Sequence, residues 1–163
     1  MDKVTNRDWI TKEEAEVFIG KNSPYYIYQW KTHSDKKLKG WNWAAALFTI
    51  EWMIYRRMLK EGIISYVFLL ALYVGVTVSL KYGFGIFGII GVLIVFIFRI
   101  TLGIFGNSLY RKKALRCLRM VAGESDNKKL EFLRQAGGAS IPAVVYFILI
   151  NIAINKSLSV FIP

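Results

Sequence analysis

Polar side chains almost disappear from the middle of this chain. Residues 62–80 (GIISYVFLLALYVGVTVSL) carry no charge, and residues 82–106 carry one, Arg99, with Lys81 alone between the two stretches. About 20 apolar residues in a helix cross the ~30 Å hydrocarbon core of a bilayer, so both stretches are long enough to span it. Lys81, Tyr82 and Gly83 leave room only for a tight turn, and the pattern predicts an antiparallel transmembrane hairpin over 62–106. A third apolar stretch, 141–155, rises only ~22 Å as a helix. Extended through Leu158 to Ile162 it becomes long enough, with Lys156 snorkelling to the far surface. A third span over 141–163 is expected, and a surface-lying tail is the alternative. The fold class is therefore all-α, an integral membrane protein.

The flanks are patterned differently. Thr11-Lys12-Glu13-Glu14 reads as a capping box that opens a helix to Phe18 or Ile19, with Gly20 as its stop. Ser23-Pro24 opens a second helix, with Ser23 as N-cap. Its rings, Tyr25, Tyr26, Tyr28 and Trp30, are expected to bury against each other or to rest on headgroups. Residues 1–40 thus form a cytoplasmic helical region, ending in the basic loop SDKKLKG. Residues 41–61 form one aromatic helix, interfacial or partly inserted. Wound from Asn42, it sets Ala45, Thr49, Arg56 and Lys60 along a narrow polar stripe, with Trp41, Trp43, Phe48, Trp52 and Tyr55 as interfacial rings. Residues 107–140 read as basic cytoplasmic amphipathic helices. Tyr110, Ala114, Cys117, Leu118 and Val121 share one face, and Arg111, Lys112, Lys113, Arg116 and Arg119 take the other. Gly123 stops that helix. Asp126 caps a further one to Ala136, and Gly137-Gly138 ends it.

Charge orients this arrangement. Residues 1–61 hold 11 Lys/Arg against 8 Asp/Glu, and residues 107–140 hold 8 against 3. Both blocks flank the same hairpin, so the positive-inside rule puts them on the cytoplasmic side and Lys81 outside. The expected location is a bacterial plasma (inner) membrane, multi-pass, with a cytoplasmic N-terminus. The partner for the formal net charge of +11 is then the anionic inner leaflet, where a juxtamembrane cation is worth ~1 kcal/mol, and not nucleic acid. The first 40 residues contain no short apolar core with a small-residue cleavage site, so no cleaved signal peptide is expected.

Phe18-Ile19-Gly20-Lys21-Asn22, Tyr28 and Trp30, then Asn42-Trp43-Ala44-Ala45 and Trp52 with Tyr55-Arg56-Arg57-Met58, make a fairly specific series. It resembles an uncharacterised family of bacterial inner-membrane proteins known only as a domain of unknown function. The resemblance implies a cluster of apolar spans and a short basic cytoplasmic stretch, here Gly106-Asn107 and Tyr110, and brings no catalytic residue or ligand. That family tends to place a Gly-Pro break before its Trp. This chain has Thr49-Ile50-Glu51 there, which counts against a break in mid-helix.

Candidate chemistry is sparse. Arg99, the one charge inside a span, either snorkels to the cytoplasmic side or pairs within the membrane with Glu51. Gly85, Gly88, Val92, Val95, Arg99, Gly103 and Gly106 fall on one side of the second span, a helix-packing seam. Arg56, Arg57, Arg111, Lys112, Lys113, Arg116 and Arg119 are the expected lipid-surface cations. Ser140 reads as the N-cap of the last span, His33 as a solvated linker residue, and Cys117 as a small buried residue. One cysteine and one histidine leave no usual metal-ligand spacing. No phosphate loop or paired carboxylates appear either, so neither enzyme activity nor a cofactor is expected. A non-enzymatic scaffold, assembly or regulatory subunit with a protein partner fits best. A small transporter or channel, formed as a homo-oligomer, is the alternative.

Overall fold

A computed structural model of the protein describes residues 10–32 and 40–161, with side chains as far as Leu158. His33 and the loop residues 34–39 lie outside the described residues, as do residues 1–9. All regular structure described is helical: α1 Lys12–Ile19, α2 Ser23–Thr32, α3 Trp43–Tyr55, α4 Leu59–Lys81, α5 Gly85–Met120, α6 Asp126–Ala136 and α7 Ile141–Phe161. Three helical stretches are long and apolar enough to cross a membrane. Their mean hydropathy reaches 2.2 in α4, 2.5 in α5 and 1.9 in the stretch containing α7. Side chains such as Ile63, Phe87, Phe96 and Leu149 stand exposed around them, an apolar expanse far beyond the few hundred Å² a water-soluble monomer leaves bare.

α4 and α5 form the hairpin. Gly83, with φ +79°, makes the turn that Lys81 opens. Close approach follows at Gly88, where a Cβ would lie 3.2 Å from Leu80, and at Gly91, which sits against Val76. α5 then continues without interruption as a single helix of 36 residues, ~54 Å long. Its lower third, past Asn107, carries the basic face.

α3 doubles back onto α4 through Arg56-Arg57-Met58. Arg57 takes the left-handed φ of 55° that this reversal requires. The Met58 amide bonds to Met53 O at 2.8 Å, and Gly62 packs on Ile54. α3 thus runs antiparallel along α4 from a start beside Gly103, whose carbonyl accepts from the Asn42 amide at 2.7 Å. Two expectations for this helix are overturned. Ala45, Thr49 and Arg56 are buried, so that part of the stripe faces the protein interior and not the polar surface, while Lys60, past the reversal on α4, is exposed. A break does occur in mid-helix. Thr49 has φ 34° and ψ −89°, a conformation a β-branched residue adopts only when its surroundings hold it there. The packed neighbours α4, α5 and α7 supply that constraint.

The N-terminal helices pack on the lower part of α5. The Thr11 capping box forms, with Glu14 Oε2 accepting from the Thr11 amide at 2.9 Å. Phe18 and Ile19 of α1 and Tyr26 and Trp30 of α2 enter one core with Tyr110, Ala114 and Cys117 of α5 and Leu133 of α6. The α2 rings divide: Tyr26 and Trp30 are buried, while Tyr25 and Tyr28 are exposed. Buried Glu14 reaches Lys129 of α6 at 3.5 Å. Ser125, not Asp126, occupies the N-cap of α6, and Asp126 instead pairs with Lys129 from the first turn. At the α6–α7 corner the Gly138 amide donates to Phe18 O at 2.6 Å. A Cβ on Gly137 would strike that same carbonyl. Ser140 Oγ caps α7 by accepting from the Ala143 amide at 3.3 Å. α7 then follows α4 in the same direction, with Tyr66 donating to Asn151 Oδ1 at 3.1 Å.

Candidate functional site

The best-organised polar chemistry lies where α2, α3 and α5 meet, at the lower end of the apolar stretch of α5. Arg56 closes α3 with 2% of its surface exposed. Its guanidinium lies 4.5 Å from the Tyr26 ring centre and 5.3 Å from those of Tyr55 and Tyr110. Such stacking is worth ~2 kcal/mol when water is excluded. Arg56 Nη1 donates to Ile19 O at 3.4 Å and to Lys21 O at 3.5 Å. These are long bonds to the C-terminal end of α1, the negative end of its dipole. Among the described residues no carboxylate pairs with Arg56. Its Nε is buried with no hydrogen-bond partner, as is the Tyr110 hydroxyl beside it.

Around this cation runs a connected network. Trp52 Nε1 donates to the Tyr26 hydroxyl at 3.2 Å. Trp30 Nε1 donates to Asn107 O at 3.0 Å. Asn42 Nδ2 donates to Asn107 Oδ1 at 2.8 Å, while Asn42 Oδ1 accepts from the Ala45 amide and so caps α3. Asn107 Nδ2 donates to Gly40 O at 2.9 Å and to the Tyr25 hydroxyl at 3.3 Å. Tyr110 is the hub of the rings, 5.0 Å from Tyr26, 5.4 Å from Phe18 and 5.7 Å from Trp30. Gly106 lets α3 approach closely enough for this, since a Cβ there would lie 2.8 Å from that of Ala45.

The expected lipid-surface cations fall into distinct roles. Arg56 is the buried hub just described and not a surface residue. Lys113, half-buried, is a clamp: its Nζ donates to Arg56 O, Arg57 O and Ala136 O at 3.1, 3.0 and 2.9 Å. Arg57 is exposed and donates to Gln135 O. Arg116 pairs with Glu61 at 2.7 Å. Lys112, Arg116 and Arg119 are exposed and Arg111 is half-exposed, all on the outer face of lower α5.

The proposed pair does not meet. Glu51 lines a cavity between α3 and α7, whereas Arg99 stands exposed on α5, and no ion pair joins them among the described residues. The glycine seam is also redrawn. Gly88 packs on α4, Gly103 on Trp41 and Gly106 on Ala45, but Gly85 has nothing within 4 Å. Gly91, not Val92, continues the contact face: Gly91 is buried against Val76 of α4, whereas Val92 stands exposed.

Asn107 and Tyr110 stand out only as the end of an apolar run. Their signal in the sequence is that an amide and a phenol recur at i and i+3 where the helix turns basic. The resemblance pointed at the same place. Asn42, Ala45, Trp52, Arg56 and Met58 are all buried in or around this network.

No curated protein and no solved structure matches the chain. A family described as protein of unknown function, DUF2628, matches residues 10–116. That stretch takes in α1 to α4, the buried network and α5 as far as Arg116, and leaves α6 and α7 outside. With well over half of its length matched, the chain belongs to the DUF2628 family.

Proposed function

We propose that this chain is a non-enzymatic module of the bacterial inner membrane, a scaffold, assembly or regulatory subunit. Its N-terminal helices face the cytoplasm, α4, α5 and α7 span the bilayer, and α3 dips partly into the inner leaflet. Exposed cations at the base, including Lys60, Lys112 and Arg116, would meet anionic lipid headgroups, and the α1–α2–α6 surface would meet a protein partner. The observation that carries this reading is the hydrogen-bonded junction of Asn42, Asn107, Trp30 and Tyr25, with Arg56 stacked among the tyrosine rings beside it. It joins the N-terminal helices rigidly to the base of the hairpin, as a platform needs and as a hinged sensor would not. Ser140, which could be mistaken for a nucleophile, caps α7.

Reporter fusions after Lys39, Lys81, Gly123 and Pro163 test the orientation. Cytoplasmic signal is expected after Lys39 and Gly123, and external signal after Lys81 and Pro163. Pull-down in mild detergent tests the role, and recovery of this chain alone at every expression level would overturn it.

One observation favours a second reading, a small oligomeric transporter or channel. Arg99 is exposed on the outer face of α5 beside exposed Phe96 and Ile100. In an oligomer it would face another copy or a lumen, and would select anions there. Liposome flux abolished by Arg99→Ala, with the fold intact, would favour this reading.

A further inference from the structure

Two cavities meet on the flank of α3. The first, about 290 Å³, lies between α2 and α3 and is lined by Tyr25, Tyr26, Trp41, Asn42, Trp52 and Arg56 among others. The second, about 300 Å³, lies between α3 and α7, against Phe48, Glu51 and Val144. Ala44, Trp52 and Tyr55 line both, so they are neighbouring chambers with a common wall. Each alone is at the small end of the ~300–1,000 Å³ typical of ligand sites.

Their chemistry is complementary. The first chamber has a cation in its wall and, among the described residues, no carboxylate. Arg56 Nε and Trp41 Nε1, from two of its lining residues, are both buried donors without an acceptor. A buried guanidinium with an unmet donor and no carboxylate paired to it among the described residues calls for an oxyanion. The second chamber presents apolar atoms only, and calls for hydrocarbon.

We propose that the paired chambers bind one anionic phospholipid, with its phosphate held by Arg56 and one acyl chain lying between α3 and α7. This rests on the membrane-embedded reading of α3 above. The aromatic lining of the first chamber would also suit a quaternary ammonium group, but the charge of Arg56 opposes it. The site therefore distinguishes phosphatidylglycerol from phosphatidylcholine.

The test uses the full chain, reconstituted in phosphatidylcholine with a minor fraction of phosphatidylglycerol and then extracted in neutral detergent. Native mass spectrometry counts the lipid retained. At about 1 M salt, where the Debye length is ~3 Å and surface adsorption is screened, one phosphatidylglycerol per chain is expected. Arg56→Gln lowers its retention about tenfold or more. Because Arg56 also holds the aromatic cluster together, Ala44→Phe provides an independent variant. It adds bulk at the common wall, from an exposed position, and should cut retention while the melting temperature holds. Equal retention of phosphatidylcholine, or undiminished retention in folded Ala44→Phe, overturns the proposal. Displacement by millimolar glycerol phosphate also overturns it, in favour of a soluble phosphate ligand. A pull-down without partners leaves this result standing, and absent lipid retention leaves the scaffold reading standing, so the two failures are separable.

Discussion

Asn42 Nδ2 donates to Asn107 Oδ1 at 2.8 Å, joining the first residue before α3 to the last layer of the apolar part of α5. Both amides are buried, and each spends its other groups nearby. Asn42 caps Ala45 and bonds Gly103 through its backbone, while Asn107 reaches Gly40 and accepts from Trp30 through its carbonyl. The pair therefore fixes where α3 enters and where α2 docks. A buried polar network satisfied this fully specifies one arrangement of the helices, because any slip leaves amides unpaired.

Removing either partner strands the other. Asn42→Ala loses a helix cap as well as the amide pair, and Asn107→Ala leaves Gly40 O and the Asn42 amide without their partner. Each should cost ~1–3 kcal/mol of stability in detergent. The double variant should cost less than the sum, with a coupling of ~0.5–2 kcal/mol. Additive melting shifts would show that the two side chains act separately.

Gly106 and Ala45 form a steric pair. Gly106→Ala places a methyl group 2.8 Å from Ala45 Cβ, too close for either backbone to ignore, and overpacking of this kind costs ~1–3 kcal/mol. Ala45→Gly in the same chain should recover part of the loss by removing the opposing methyl group. The expected result is a double variant that melts above Gly106→Ala alone, and a lower melting point would refute the close contact.

Much of this was legible in the sequence, for physical reasons that differ along the chain. The spans read directly, since bilayer thickness leaves an apolar helix few alternatives. The Thr11 capping box and the Ser140 cap also read directly, because each rests on three or four consecutive residues. The periodic face of Tyr110, Ala114, Cys117, Leu118 and Val121 identified the side of α5 that is buried. Arg56 did not read. Periodicity treats an arginine as polar and turns it outward, whereas three tyrosine rings and the end of α1 make an interior place for it. The Thr49 break was hidden for a similar reason, since packing imposes it against local preference. Arg99 invited a pairing with Glu51 on depth alone, and depth says nothing about which side of a helix a residue faces.

Lys113 is the joint between three segments, taking the carbonyls of Arg56, Arg57 and Ala136. Hydrogen bonds from a charged donor contribute ~1.5–3 kcal/mol, and here one side chain closes the α3–α4 reversal onto the end of α6. Lys113→Met should destabilise the protein by about that amount and expose the α6–α7 corner to protease, while keeping α4 and α5 paired. Lys113→Arg should not restore it fully, because a planar guanidinium cannot direct donors at three carbonyls converging on one ammonium. Limited proteolysis near Gly137 reads the first effect and thermal melting the second. A wild-type digestion pattern in Lys113→Met would remove the clamp.

Arg99 and Glu51 make the last case, because geometry and depth disagree about them. Similar depth would allow an ion pair, and such a pair in a low-dielectric setting would make each single reversal costly and the double reversal much better. The geometry separates them, with Glu51 between α3 and α7 and Arg99 on the exposed side of α5. Arg99→Leu should then change the stability of the isolated chain by no more than ~0.5 kcal/mol, as for other exposed positions. Glu51→Arg should be destabilising by itself, since it forces a longer cation against Phe48 and Val144. Combining Glu51→Arg with Arg99→Glu should give no recovery beyond that single change. Recovery in the double variant, read as melting temperature in detergent, would mean that the two charges meet in the membrane after all. A marked loss in Arg99→Leu only when copies can associate would instead place Arg99 at a contact between chains.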